Sequence, residues 1–327
     1  MIQPDVKIKT VRERTSVPSQ LAGIVAVAVP PLGLVAAVWL LWNRGVHPVD
    51  LLLLAAFYAA CGLGITVGFH RLFTHKSFET SAPLRALWAI LGSMAMQGPL
   101  TQWVTDHRKH HALSDRHGDP HSPHAGHGDS LAEHVLGLWH SHIGWLFSTK
   151  GLERGVEYGR DLYEDRLVRG IDRLYLLWVA LTLGLPCLAG YLVGGSWQRG
   201  LEAMVWAGLV RVFLFQHVTF SINSICHFFG EQPFRTRDES RNVWLLAIPS
   251  FGESWHNGHH AFPASAVHGL EPGQLDISAL VIRGMEKLRL ATEVKRPDSQ
   301  QIERRRVVAE RPRRKDIARR GLADRTG

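Results

Sequence analysis

The chain has 327 residues, 46% of them hydrophobic, with 37 Lys and Arg against 29 Asp and Glu for a formal net charge of +8, plus 19 His and three Cys. That length holds either two soluble domains or one multi-span membrane domain with tails. Cys61, Cys187 and Cys226 each sit in or beside an apolar run, which excludes a disulfide framework and a C-x-x-C metal site.

Residues 1–20 are polar and carry Lys7, Lys9, Arg12 and Arg14 ahead of the first apolar run, which places the N-terminus in the cytoplasm. Residues 21–42 contain no charge; the run is too long for a signal-peptide core and a second follows closely, so it reads as a retained span. A short external loop from Asn43 to Asp50 leads to a second uncharged span, 51–69, which returns the chain to the cytoplasm at His70. Residues 76–172 form a long polar cytoplasmic insert. Within it, 84–99 is apolar but too short and interrupted to cross, and is expected to be an interfacial or re-entrant helix. Segment 114–142, rich in Gly, Asp, Pro and His, reads as loop. Residues 174–195 are a third span. Residues 201–222 are a fourth, apolar apart from Glu202, Arg211 and His217, and Gly194–Gly200 closes the hairpin between them.

Everything after about 223 is then cytoplasmic, and both termini lie on that side. The last segment, 286–327, has 14 Lys and Arg against seven Asp and Glu. Attached to membrane spans, it reads as a solvated tail near anionic headgroups and not as a nucleic-acid site. Its scarcity of aromatics predicts disorder. The expected organisation is a polar segment 1–20, a membrane domain 21–285 and a basic tail 286–327.

Three histidine boxes carry the chemistry: His70-x4-His75, His107-x2-His110-His111 and His256-x2-His259-His260. Chance supplies about 0.06 copies of H-x-x-H-H in a chain of this composition, and two are present. On a helix the pattern places the first imidazole on the same face as the two that follow. Neutral imidazole ligates iron, zinc and copper. Eight such ligands are too many for one ion and suit two, and the topology brings all three boxes to one side of the membrane. Soluble diiron enzymes use two Glu-x-x-His motifs on a bundle; here only Glu253-x-x-His256 occurs, so that architecture is disfavoured. The fold class expected is all-α integral membrane: four transmembrane helices with a cytoplasmic helical cap holding a histidine-rich dimetal site.

This order of boxes, the first at the end of a span, resembles the integral-membrane fatty acyl desaturases, most nearly bacterial members of the acyl-CoA delta-9 (stearoyl-CoA-type) branch. Asp106-His107-Arg108, Asp119-Pro120-His121, Ser141-His142-Ile143-Gly144-Trp145, Gly252-Glu253 and the N-x-x-x-H element Asn223–His227 support it, over roughly residues 25–270. The resemblance implies two irons held by His70, His75, His107, His110, His111, His227, His256, His259 and His260, with Asn223 reaching one of them through a water. It also implies Trp145 and Thr219 as walls of an acyl tunnel. The activity implied is O2-dependent introduction of a cis double bond, at delta-9, into a long-chain saturated acyl-CoA, with O2 reduced to water. No H-P-G-G haem motif occurs, so electrons are expected from a separate ferredoxin-, reductase- or cytochrome b5-like protein. A membrane fatty acid or alkane hydroxylase shares such boxes and is the nearest alternative. A His-rich metal transporter is a third reading, disfavoured because the spans are bare of ionisable residues except at Arg211 and His217. The insert histidines His124, His127, His134 and His140 read as solvated loop residues.

Overall fold

A computed structural model describes residues 17–147 and 156–307. The described residues form helices and no β-strand; extended pairing is confined to isolated bridges. In chain order the helices are α1 (Val17–Arg44), α2 (Pro48–Leu63), α3 (Ala82–Ser93), α4 (Leu100–Leu113), α5 (Leu131–His142), α6 (Val156–Glu164) and α7 (Arg166–Arg173). They continue with α8 (Tyr175–Gly194), α9 (Trp197–Ala203), α10 (Arg211–Ser224), α11 (His256–Ala261), α12 (Ile277–Lys287) and α13 (Ser299–Arg305). A π-helical stretch, Gly64–Thr74, continues α2, and a second, Met204–Val210, joins α9 to α10.

Among the described residues, three helical runs are long and apolar enough to cross a membrane: Pro48–Thr74, Tyr175–Gly194 and Trp197–His227. Leu51, Leu52, Leu176, Leu192 and Val193 on them are exposed, as lipid-facing side chains are. The first expected span, residues 21–42, lies on α1. Its described apolar part, Ala28–Asn43, is shorter than a crossing needs. At one end of the bundle Arg199 binds both carboxylate oxygens of Asp50 at 3.0 Å and also pairs with Glu202, tying α2 to α9. Gly195, at φ +68°, ends α8 in the left-handed conformation that lets the chain turn into the next span.

Local sequence explains several helix starts. His47 accepts from the Val49 amide ahead of Pro48, Asp165 accepts from Leu167 and Val168, and Asp276 accepts from Ala279. Segment 114–142 is corrected in its second half: residues 131–142 are helical, started by a capping box in which Ser130 and Glu133 satisfy each other's backbone amides. The short α3, with 12 residues, is below crossing length. It lies against the π-helical end of the second span, where a Cβ at Gly64 would collide with the Gly92 amide and one at Gly92 with the Phe69 ring. That close approach seats Phe69, Trp88, Ala89 and Phe73 in the core directly beneath the first box.

The basic tail is also corrected at its start. Residues 288–307 are laid along the body of the protein: Glu79 and Thr292 exchange backbone bonds of 2.8 and 2.9 Å, and the Lys295 amide donates to Ser77 at 2.8 Å. The Val307 amide donates to Pro233 at 2.8 Å, and Ala291 is fully buried. The remainder of the tail, residues 308–327, falls outside the described residues.

Candidate metal centre

The first box sits where α2 changes to a π-helix. In an α-helix residues five apart point about 140° away from each other; wider π-helical turns bring them onto one side. The bond that makes this turn runs from the His75 amide to the His70 carbonyl, 3.1 Å. The second box lies on α4 and the third on α11.

Two sets of imidazoles result. His70, His75, His107, His111 and His259 form a five-imidazole set; His110, His227, His256 and His260 form a four-imidazole set, the ligand atoms of each lying within 4.8 Å of one another. In both H-x-x-H-H boxes the residues four apart share one set, and the histidine three residues after the first joins the other. All nine histidines named from the sequence are therefore brought together, and the ends of the chain's boxes meet: His70 Nε2 lies 3.1 Å from His259 Nε2, and the His111 ring 4.5 Å from that of His260.

The Nε2 atoms converge on one another: His259 to His111 at 2.8 Å, His111 to His107 at 3.0 Å and His227 to His256 at 3.0 Å. Nitrogens bound at ~2.1 Å and at right angles on one ion lie about 3 Å apart, so this spacing fits ligation. His75 Nε2, His110 Nε2 and His260 Nε2 are buried without a hydrogen-bond partner. A buried ring nitrogen left unpaired is costly unless something else, here a cation, takes its lone pair. The rings supply that lone pair. Burial, then repulsion among neighbouring imidazoles, holds His75, His107, His111, His256, His259 and His260 well below the usual histidine range, so they are neutral. His110 is the exception: burial opposes protonation, but the Asp119 carboxylate outweighs it and raises the ring.

Carboxylates fix several rings. Asp119 lies 3.0 Å from His110 Nδ1, Asp115 2.9 Å from His227 Nδ1 and Asp238 2.8 Å from His260 Nδ1, while Glu253 pairs with His70 Nδ1. A carboxylate only accepts, so each Nδ1 carries the proton and leaves Nε2 free to ligate. Two arginines lock the boxes to each other. Arg71, fully buried, donates to the Ala266 carbonyl (2.9 Å), Glu253 (3.1 Å) and Asp276 (2.9 Å) and meets His268 Nδ1 (3.1 Å), joining box one to box three. Arg108 donates to the carbonyls of Phe73 (2.8 Å) and Thr74 (3.1 Å) and bonds both oxygens of Asp161, joining box two to box one and α6.

In the sequence Asp119 and Glu253 stand out only as parts of motifs, and Asp115, Asp238 and His268 not at all. No spacing signal announces them; they reach the rings through loops. The insert histidines are not simply solvated: His124 Nε2 bonds the His227 carbonyl at 2.6 Å and its ring stacks on Phe228. His121 is buried against His110, and burial together with that neighbour lowers it to about 3.

Beside the cluster lies a cavity of about 40 Å³, room for one water-sized molecule. Asn223 and Thr219 line it together with His70, His107, His256, Trp103, Phe215 and Ile222. Trp145 is elsewhere, its ring 5.3 Å from that of His121. Thr219 accepts from Gln97 Nε2 at 2.8 Å, and Trp103 Nε1 donates to the same amide's oxygen at 3.2 Å, which fixes the cavity wall.

Residues 48–272 match the family model described as Fatty acid desaturase. Over 281 residues, 86% of this chain and 87% of the other, the protein is 40% identical to the hex-5-enoyl-[acyl-carrier protein] acetylenase of Moorena producens (strain JHB). It is 40% identical to delta-9 acyl-lipid desaturase 1 of Arabidopsis thaliana over 77% of each chain. To the acyl-CoA C20 delta5-desaturase of Anemone leveillei it is 38% identical, over 74% of this chain and 72% of that one.

Proposed function

Because the chain belongs to the fatty acid desaturase family, we propose that it is an O2-dependent desaturase that places a cis double bond, at delta-9, in a long-chain saturated acyl-CoA. In this reading it is a four-span cell-membrane protein with both termini and the histidine cluster on the cytoplasmic side. Electrons come from a separate ferredoxin-, reductase- or cytochrome b5-like protein. The observation that carries the reading is the convergence of nine imidazoles, six buried and three half-buried, in two sets. These donors fit two irons: one held by His70, His75, His107, His111 and His259, the other by His110, His227, His256 and His260, with Asn223 approaching through a water.

Iron bound there supplies the redox capacity for O2 to take hydrogen from an unactivated methylene, which side chains cannot supply. The chain's own residues do the rest. The carboxylates hold each imidazole in the tautomer that ligates. Phe215, Ile222, Val218 and Ile65 give the cavity an apolar wall suited to an alkyl chain, and Thr219, fixed by Gln97, gives it one polar point. A long acyl chain needs a site of hundreds of Å³, so the cavity widens when substrate enters. The acyl-CoA assignment is supported by the likeness of the boxes to that branch and by the Anemone relative's name.

The test is the lipid profile of cells expressing the chain, with positional analysis of double bonds. His110→Ala and His259→Ala should each abolish the unsaturated product while the protein still inserts into membranes. Stearoyl chains offered to those membranes on CoA, on acyl carrier protein and in phospholipid identify the carrier, and product from CoA alone is expected. Hydroxy-fatty acid as the main product would replace the desaturase reading with that of a hydroxylase.

A further inference from the structure

We infer that the two metal positions are unequal, and that Asp115, Asp119 and Asp238 make the four-imidazole set hold its ion more tightly than the five-imidazole set. The inference rests on the two-metal reading above and deepens it.

Three of the four rings in the smaller set have a carboxylate on Nδ1: Asp119 on His110, Asp115 on His227 and Asp238 on His260, at 2.8–3.0 Å. Each carboxylate is itself held. Asp115 accepts from Ser122 Oγ (2.7 Å) and the Glu239 amide (2.9 Å), Asp119 from the amides of Asp115 (2.9 Å) and His121 (3.1 Å), and Asp238 from Ser240 Oγ (2.5 Å). In the larger set the described carboxylate–imidazole pair is Glu253 with His70, and Glu253 divides its charge with Arg71 at 3.1 Å. His259 Nδ1 in that set and His256 Nδ1 in the smaller one are both buried with no partner, so the contrast between the sets lies in the carboxylates.

A carboxylate behind an imidazole makes the ring a stronger donor and fixes its direction; removing one costs 10–100-fold in metal affinity. It also adds negative charge near a cation in a site of low polarity. The smaller set therefore has fewer ligands but three of its four are backed by a carboxylate, and it faces more negative charge. Asp115, Asp119 and Asp238 are positioning residues: they act through the rings. Their arrangement orders the loss of metal, the five-imidazole ion leaving first.

The test uses the full chain in detergent loaded with Fe2+, mixed with an Fe2+ chelator, the coloured complex being followed in time. The wild type should release two ions in two phases of equal amplitude. Asp115→Asn and Asp238→Asn keep an acceptor oxygen and remove the charge. Each should speed the slow phase about 10–100-fold and leave the fast phase unchanged. Asp238→Glu should restore it, and Glu253→Gln should act on the fast phase. A single phase in the wild type, or Asn variants that speed both phases alike or neither, overturns the inference. A wild type that binds fewer than two ions defeats the two-metal reading itself.

Discussion

Arg71→Ala should cost the protein more stability than any other single change at a box-flanking residue. Its guanidinium is wholly buried and meets four groups: the Ala266 carbonyl, Glu253, Asp276 and His268, which lie 182 to 205 residues along the chain. Truncation leaves Glu253 and Asp276, themselves 8% and 5% exposed, facing each other without their cation. Removing one partner of a buried pair costs about 3–5 kcal/mol, because the remaining charge stays out of water. At ~1.4 kcal/mol per tenfold, that is a factor of about 100 to several thousand in the folding equilibrium. Lysine at this position keeps the charge but lacks the planar fork, so it reaches fewer partners and recovers only part of the loss. The assay is denaturant unfolding of metal-free protein in detergent, followed by tryptophan fluorescence, for wild type, Arg71→Lys and Arg71→Ala. An alanine variant within about 1 kcal/mol of wild type would refute the reasoning, since only a solvated or unpaired arginine is that dispensable.

Truncation after residue 307 should leave folding and membrane yield unchanged, whereas truncation after 287 should lower both, because Thr292 and Lys295 pair with Glu79 and Ser77 beside the first box; equal yields of the two would contradict this. Gly64→Val should destabilise by about 1–3 kcal/mol through overpacking against α3, a shift readable by thermal unfolding in detergent. Metal-free protein should lose stability as pH falls below about 6.5, the ordinary histidine value. The seven rings held below that value, His268 with the six already named, stay neutral when folded while the unfolded chain takes up protons. Unfolding midpoints measured from pH 8 to pH 5 check the sign, and a midpoint that rises on acidification would count against it.

The sequence by itself determined what short-range pattern can determine. Apolar runs at 51–69, 174–195 and 201–222 mark helices that must satisfy their backbone within themselves, and all three appear as membrane-length helices. The two H-x-x-H-H boxes mark imidazoles crowded on one side of a helix, and both fall on helices. The division of labour inside those boxes was not legible, because i+3 and i+4 lie on either side of the same face and only a second wall of ligands decides which ring goes where. The spacing of His70 and His75 is wrong for an α-helix; a π-helical turn, set by how the second span meets α3 at Gly64 and Gly92, brings them together. Asp115 and Asp238, and the anchoring of residues 288–307, have no local signature at all. Their partners lie far along the chain, and contacts of that kind depend on which surfaces the folded spans and loops bring within a few ångströms, a quantity that no window of sequence contains.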